Sequence, residues 1–373
     1  MAIHISRIAI NHFRGIHDLE VESLNHINII AGDNNSGKTS ILEALLLLRN
    51  PGDFSDALRL ARTRDTNFYF GGSSLYENFI NLFPRDVISQ ELGINANIHG
   101  KKVVCRLNGS VKKIMLDPNE VSNKKYSPKR SRINQDIPLN DVEAEAFEGE
   151  YHTKIEDKKN KVSIYLDSHS TSTGREIKGK AFLDMIYLSP MDHVRGSVFD
   201  QIIKNEDYKE ICIRILQQFD PEIKDLLLLR DENRSRAIEY IKHATLGNMP
   251  LSTYGDGIKK VLLLANGIAR GAGGVLLIDE VETAIHSKYY DDIFRFLVKA
   301  AIQFDVQVFI TTHNLEAIDA LLSTQDYDKQ DKEDNIHVLT FKKEPSSHKT
   351  YSRVLSGRHV HENRKKFDFE VRL

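Results

Sequence analysis

The sequence predicts an α/β fold built on a sheet whose strands bring polar residues to one edge. Three observations carry this. "GDNNSGKT", residues 32–39, is a glycine-rich loop between a strand-like segment, "HINIIA", and an apolar helix, "TSILEALLLL". "VLLIDE" is an apolar run that ends on two acids, Asp279 and Glu280. "VFITTH" is another apolar run, and it ends on His313. Apolar runs of this length without alternation suit strands buried on both faces. In parallel α/β sheets ligands bind where such strands end.

The elements follow in order. "ISRIAINHF" alternates as a strand does, and a turn leads to "HINIIA", the loop and the helix. Residues 51–95 mix short helical and loop segments. From about 96 to 180 the chain turns β-rich: "NANIHGKKVVCRLNG", "VKKIML", "EAEAFEGEYHTKI" and "NKVSIYLD" are separated by turn residues, which predicts an inserted antiparallel meander. "FLDMIYLSP" returns to a buried strand. Residues 196–250 predict a helical subdomain, because "YKEICIRILQQF" and "PEIKDLLLL" carry apolar residues three and four apart. Next come "LSTYGDGIKK", a helix, "GGVLLIDE", the helix "YDDIFRFLVKAAIQF", "VQVFITTH" and the helix "NLEAIDALL". The last stretch offers "IHVLTFKK", a polar turn, "YSRVL" and a charged end.

Composition narrows the partners. The chain has 373 residues, 40% hydrophobic and 28% charged, with a formal net charge of −2. It is therefore not a polycation that would coat nucleic acid. The charge is uneven, however. Between Lys101 and Arg132 stand ten Lys or Arg and only two acids, whereas Asp136 to Glu150 holds six acids and no base. The block at 101–132 is a candidate DNA contact, weighed against a solvated loop balanced by the acids that follow. Cys105 and Cys212 are distant in sequence and have no neighbours at metal-ligand spacing, so neither a zinc site nor a disulfide framework is expected. The longest apolar runs are too short to span a bilayer, which leaves the cytoplasm as the expected location and no membrane partner.

The chemistry sits in the three motifs of the opening. Glycines Gly32 and Gly37 let the backbone of Gly32, Asn34, Asn35, Ser36 and Gly37 wrap a phosphate with its N–H groups inward. The helix from Lys38 adds its positive end. Lys38 is expected to reach the β- and γ-phosphates, Thr39 to ligate Mg²⁺ and Ser40 to line the site. Asp279 is expected to hold Mg²⁺ through water, and Glu280 to orient or deprotonate the attacking water. His313 is expected to position or sense the γ-phosphate. "LSTYGDGIKK" reads locally as a glycine turn that starts a helix.

The order of these motifs resembles the ABC-type ATPases, in the non-transporter branch of SMC proteins, RecF and the overcoming-lysogenization-defect (OLD) family. "IAINHFRGI" is similar to the Asn-Phe-Arg opening of that branch, "LLIDEVETAIHSKYY" to its Walker B segment with a turn ending in His286, and "ITTHNLEAID" to its His switch. The "GDG" of the helix-start turn is similar to the OLD signature, so Gly255, Asp256 and Gly257 would cap ATP bound by an opposite subunit. Ser252 is at the wrong spacing for the signature serine.

The resemblance implies an ABC-type P-loop NTPase with a mixed sheet. It would have an N-terminal ATPase lobe (1–195), the subdomain 196–250, and a C-terminal lobe (251–373) with signature, Walker B and His switch. It implies ATP and Mg²⁺ as cofactors and a homodimer or higher homo-oligomer. It also implies a separate effector, a nuclease, in anti-phage defence, or alternatively a RecF-like DNA-repair clamp. The chain departs from the family in having no long coiled coil. No clear glutamine follows "MIYLSP", where Ser189 or Asp192 would stand in for the Q-loop. Only 60 residues follow His313, too few for the Toprim nuclease of full-length OLD proteins, so the chain is expected to lack a nuclease of its own.

Overall fold

The computed structural model describes residues 3–33, 36–62, 74–85, 90–116, 142–168, 171–173, 181–194, 198–230, 237–327, 334–344 and 349–371. Strands β1 (Ile5–Asn11) and β2 (Leu19–Val21) pair as a hairpin. The chain then leaves that sheet, and β3 (Ile27–Ala31) enters a second one. After β3 come α1 (Lys38–Leu46), α2 (Ser55–Arg62) and α3 (Leu75–Ile80).

The β-rich stretch forms β4 (Gln90–Ile98), β5 (Lys101–Leu116), β6 (Val142–Ile155), β7 (Lys158–Asp167) and β8 (Thr171–Thr173). It is the antiparallel meander expected, but not a separate module. β4 pairs with β1, so the N-terminal hairpin and the meander make one seven-stranded sheet ordered β2-β1-β4-β5-β6-β7-β8. "VKKIML" is the far half of the 16-residue β5 and not a strand of its own. Half of the basic block, from residue 117 on, lies outside the described residues.

Residues 196–250 depart from the helical subdomain expected. "YKEICIRIL" does form a helix, α4 (Glu206–Leu216). "PEIKDLLLL" does not. Ile223–Arg230 is strand β10, paired antiparallel with β11 (Ala237–His243), which pairs in turn with β12 (Gly247–Pro250). A short apolar run fits a helix or a strand equally well by periodicity. The partner "AIEYIKH" decides here, supplying a cross-strand neighbour for each residue from Asp225 to Arg230.

The second sheet has six strands, ordered β16-β15-β3-β14-β13-β9. Its members are β3, β9 (Met185–Leu188), β13 (Val275–Ile278), β14 (Gln307–Thr312), β15 (Ile336–Lys343) and β16 (Thr350–Ser356). All neighbours are parallel except the edge strand β16, so the sheet is mixed. Helices α5 (Asp256–Arg270), α6 (Tyr290–Gln303), α7 (Leu315–Leu322) and α8 (Gly357–Phe367) complete the C-terminal part.

This sheet has a core on each face, which explains its unbroken apolar strands. Val275 and Leu277 of β13 enter a core shared with the antiparallel sheet, α1 and α2. Leu276 and Ile278 point the other way, into a core with α4, α5, α6 and α7. The buried amide of Gln307 ties the two sheets. Its Oε1 accepts from Ile5 N at 2.7 Å, and its Nε2 donates to the carbonyls of Ile5 and Asn25 at 2.8 and 2.9 Å. Among the described residues no helix is long and apolar enough to cross a membrane. Cys105 and Cys212 are buried free thiols.

Candidate active site

The parallel register puts the predicted residues on one edge. The glycine-rich loop leaves the end of β3, Asp279 and Glu280 the end of β13, and His313 the end of β14, which lies between β3 and β13. Gly37 caps α1 with φ 92°, a left-handed backbone that a side chain would strain. A Cβ on Gly32 would come within 2.9 Å of Ser36 Oγ. That Oγ is buried with no hydrogen-bond partner among the described residues, so the loop holds a polar atom that a phosphate oxygen would satisfy. Asn34 and Asn35 lie outside the described residues. Ser40 is buried in the first turn of α1.

Lys38 is buried and curls back over the loop. Its Nζ donates to the carbonyls of Gly32 and Asp33 at 2.8 and 2.7 Å. Burial holds its pKa below the ordinary lysine range, against the pull of Glu280, Asp279, Glu282 and Asp33. Thr39 Oγ1 donates to Asp279 at 2.9 Å from Oδ2 and 3.2 Å from Oδ1. Loop and acid strand thus meet at a hydroxyl and a carboxylate. Together with phosphate oxygens and water, that donor set fits Mg²⁺, which usually takes one or two carboxylates.

Two residues that sequence reasoning passed over complete this cluster. Thr311 Oγ1 donates to Asp279 Oδ1 at 2.6 Å and accepts from Glu280 N at 2.8 Å, so one hydroxyl aligns both acids. Tyr187 donates to Asp279 Oδ2 at 3.3 Å, and burial raises its hydroxyl pKa well above the ordinary value, with Asp279 adding to the effect. The signals were present. Thr311 is a polar residue inside the apolar "VFITTH", and Tyr187 is the polar-tipped residue of "MIYL". Glu280 has φ 47°, a conformation uncommon outside glycine and concentrated at functional sites.

His313 is held from its own edge by a third acid. Glu282 Oε1 accepts from His313 N at 3.1 Å and lies 3.1 Å from Nδ1. The Glu282 carboxylate is buried, whereas the imidazole is about half exposed at 45%, so an accessible ring stands on a fixed base. The Ser189 amide and hydroxyl donate to Asp192 at 2.7 and 2.6 Å at the end of β9.

Gly255, Asp256 and Gly257 stand apart from this cluster. They begin α5, with Gly255 as its N-cap. Among the described residues no hydrogen bond or ion pair joins them to the glycine-rich loop. Gly255 has φ −65°, and a Cβ placed on it would meet nothing within 4 Å, so its surface is open. The Arg of the opening motif serves the loop helix instead. Arg14 Nε lies 2.7 Å from Glu43 Oε2 on α1, a buried ion pair.

A family described as "AAA domain, putative AbiEii toxin, Type IV TA system" matches residues 116–319, and a family of proteins of unknown function matches residues 3–57. The chain is 22% identical over 362 residues to an ATP/GTP phosphatase of Helicobacter pylori, covering 88% of this chain and 91% of that one. It is 23% identical over 362 residues to the DNA replication and repair protein RecF of Geotalea daltonii, covering 84% and 94%. Among solved structures, an SMC head bound to the C-terminal winged-helix domain of ScpA is 12% identical, with a TM-score of 0.49 over 96% of this chain and all of that one. At such a score the fold rests on strand order instead. With its phosphate loop, acid strand and His on one sheet edge, the arrangement is that of a P-loop nucleotide site, and the chain belongs to the AAA-domain family of the AbiEii description.

Proposed function

We propose that the chain hydrolyses ATP at a site completed by a second copy of itself, and that nucleotide-driven dimerisation is its output. Lys38 and the loop amides hold the phosphates. Thr39 and, through water, Asp279 would hold Mg²⁺, which would neutralise charge on the phosphate oxygens. Glu280 takes a proton from the attacking water, and His313, steadied by Glu282, positions the γ-phosphate. The observation that carries this reading is the shared hydroxyl network of Thr39, Thr311 and Asp279, which fixes loop and acids relative to each other. The open Gly255 turn supports the trans arrangement, since a surface glycine with room around it suits contact with another chain. Light scattering tests it. Glu280→Gln with ATP and Mg²⁺ should accumulate as dimer, and a chain that stays monomeric under those conditions rejects the reading.

In this reading the dimer controls a separate effector, a nuclease, in defence against phage. The resemblance to OLD-type ATPases and the AbiEii description of the family support it. Activity of a co-expressed neighbouring nuclease, with and without Glu280→Gln, tests it. Unchanged activity removes that role.

A second reading, a clamp on DNA, is favoured by one feature of the seven-stranded sheet. Lys102, Arg106, Lys154, Lys159 and Lys161 line a concave, solvent-facing region of β5, β6 and β7, together with the acids Glu156 and Asp157, and Lys161 pairs with Glu150 at 2.6 Å. Lys154 lies directly opposite Lys159. Like charges placed so are unfavourable unless an anion covers them. Three phosphate contacts here would give a salt slope near −3 on duplex DNA, since each contributes about −0.9. Absence of DNA binding at low salt removes this reading.

A further inference from the structure

The loop that carries Glu280 packs against α5, the helix that begins at the proposed signature turn. Lys260, in the second turn of α5, is fully buried, at 0% exposure. Lysine is almost never buried so completely unless its charge is matched. Its Nζ stands 3.4 Å from the main-chain oxygen of Glu280. Burial disfavours its charged form more strongly than Glu282, Asp192, Asp279 and Glu280, the acids around the reacting edge, favour it. α5 meets the same loop a second time, because a Cβ on Gly257 would lie 3.3 Å from the carbonyl oxygen of Ala284. Between these two contacts the loop holds two non-glycine residues in left-handed backbone, Glu280 at φ 47° and Ala284 at φ 68°. Backbone of this kind persists only where its surroundings hold it.

We propose that Lys260 is a positioning residue that ties the conformation of Glu280 to the signature helix. The partner's nucleotide, touching Gly255 at the start of α5, thereby sets the geometry of hydrolysis in this chain. The inference rests on the two-chain site proposed above. It adds a direction to that site: nucleotide bound by one chain governs the water-activating acid of the other. Lys260 itself touches neither nucleotide nor water. It acts through the Glu280 carbonyl.

Steady-state phosphate release over a range of ATP concentrations tests this with wild type, Lys260→Met, Lys260→Arg and Glu280→Gln. Met matches the length of the lysine stem and removes the charge and the donor. Lys260→Met should lower kcat by about 10- to 100-fold, the scale of a misplaced catalytic group. Its KM and its affinity for a fluorescent ATP analogue should stay within about twofold of wild type. Lys260→Arg should recover most of the rate. A purely structural lysine would instead change thermal stability and leave kcat alone. If wild type hydrolyses ATP and Lys260→Met matches its kcat, the inference is overturned and the two-chain site stands. If wild type is no faster than Glu280→Gln, the role of Glu280 fails and the inference falls with it. Should Lys260→Met not fold, Lys260→Gln carries the same test with the same expected loss.

Discussion

Thr311→Val isolates the hydroxyl that joins the two acids. Thr311 is fully buried, and valine nearly matches its shape, so little cavity is created. What disappears is the 2.6 Å donation to Asp279 and the 2.8 Å acceptance from Glu280 N. A hydrogen bond to a charged group contributes about 1.5–3 kcal/mol, and an orphaned buried N–H costs about 1–3 kcal/mol. Asp279 retains Thr39 and Tyr187 as donors, so the lower part of the range applies, roughly 3 kcal/mol in all. The urea midpoint should fall accordingly. Phosphate release should drop about tenfold or more, because both acids lose their common anchor. Thr311→Ser, which keeps the hydroxyl, should recover most of each loss. If the Val and Ser chains agree within about 0.5 kcal/mol and in kcat, the shared-anchor reasoning is wrong.

Gly255→Trp should leave the monomer's melting temperature and ATP affinity unchanged, since its Cβ meets open space, yet abolish ATP-dependent dimers in light scattering. Gly257 is a poorer probe, because a side chain there presses on Ala284 of the same chain. Burial lowers Lys260 from 10.5 to about 8, so the unfolded chain binds more protons than the folded one between those values. Stability should therefore rise with pH across that window, by roughly 3 kcal/mol for this residue, and urea titrations of Lys260→Met should lack that rise. Gln307→Ala strands the N–H and C=O of Ile5 between the sheets, and should cost about 2–4 kcal/mol in denaturant unfolding.

The gathering of the motif residues on one sheet edge was legible because the motifs are local. A phosphate loop needs glycines, Lys and Thr in a fixed order, so Gly32, Gly37, Lys38 and Thr39 could be read without neighbours. Asp279 and His313 were singled out by their order after the phosphate loop, since an apolar strand ending in a polar residue is common by itself. Thr311 and Tyr187 were missed because their roles depend on strand order, which places β14 and β9 on either side of β13. Lys260 was hidden for a related reason. In "IKKVLLL" a lysine looks like a helix surface, and only the packing of α5 shows that it points inward. β10 was misread as helix because its apolar run has no period that excludes either form, and its pairing with β11 is a non-local fact. The division of the first strands between two sheets was likewise invisible, since β1 finds its partner β4 some eighty residues later.

If each ATP site is built from two chains, mixing two differently disabled chains should rebuild it. Lys38→Ala disables the phosphate loop, and Gly255→Trp disables the turn offered to the partner. Each variant alone should be inactive. Mixed in equal amounts, half of the dimers would pair an intact loop from one chain with an intact turn from the other, restoring roughly a quarter of the sites in a symmetric dimer. Phosphate release should therefore return on mixing. An inactive mixture, or full activity in Gly255→Trp alone, would contradict the two-chain site.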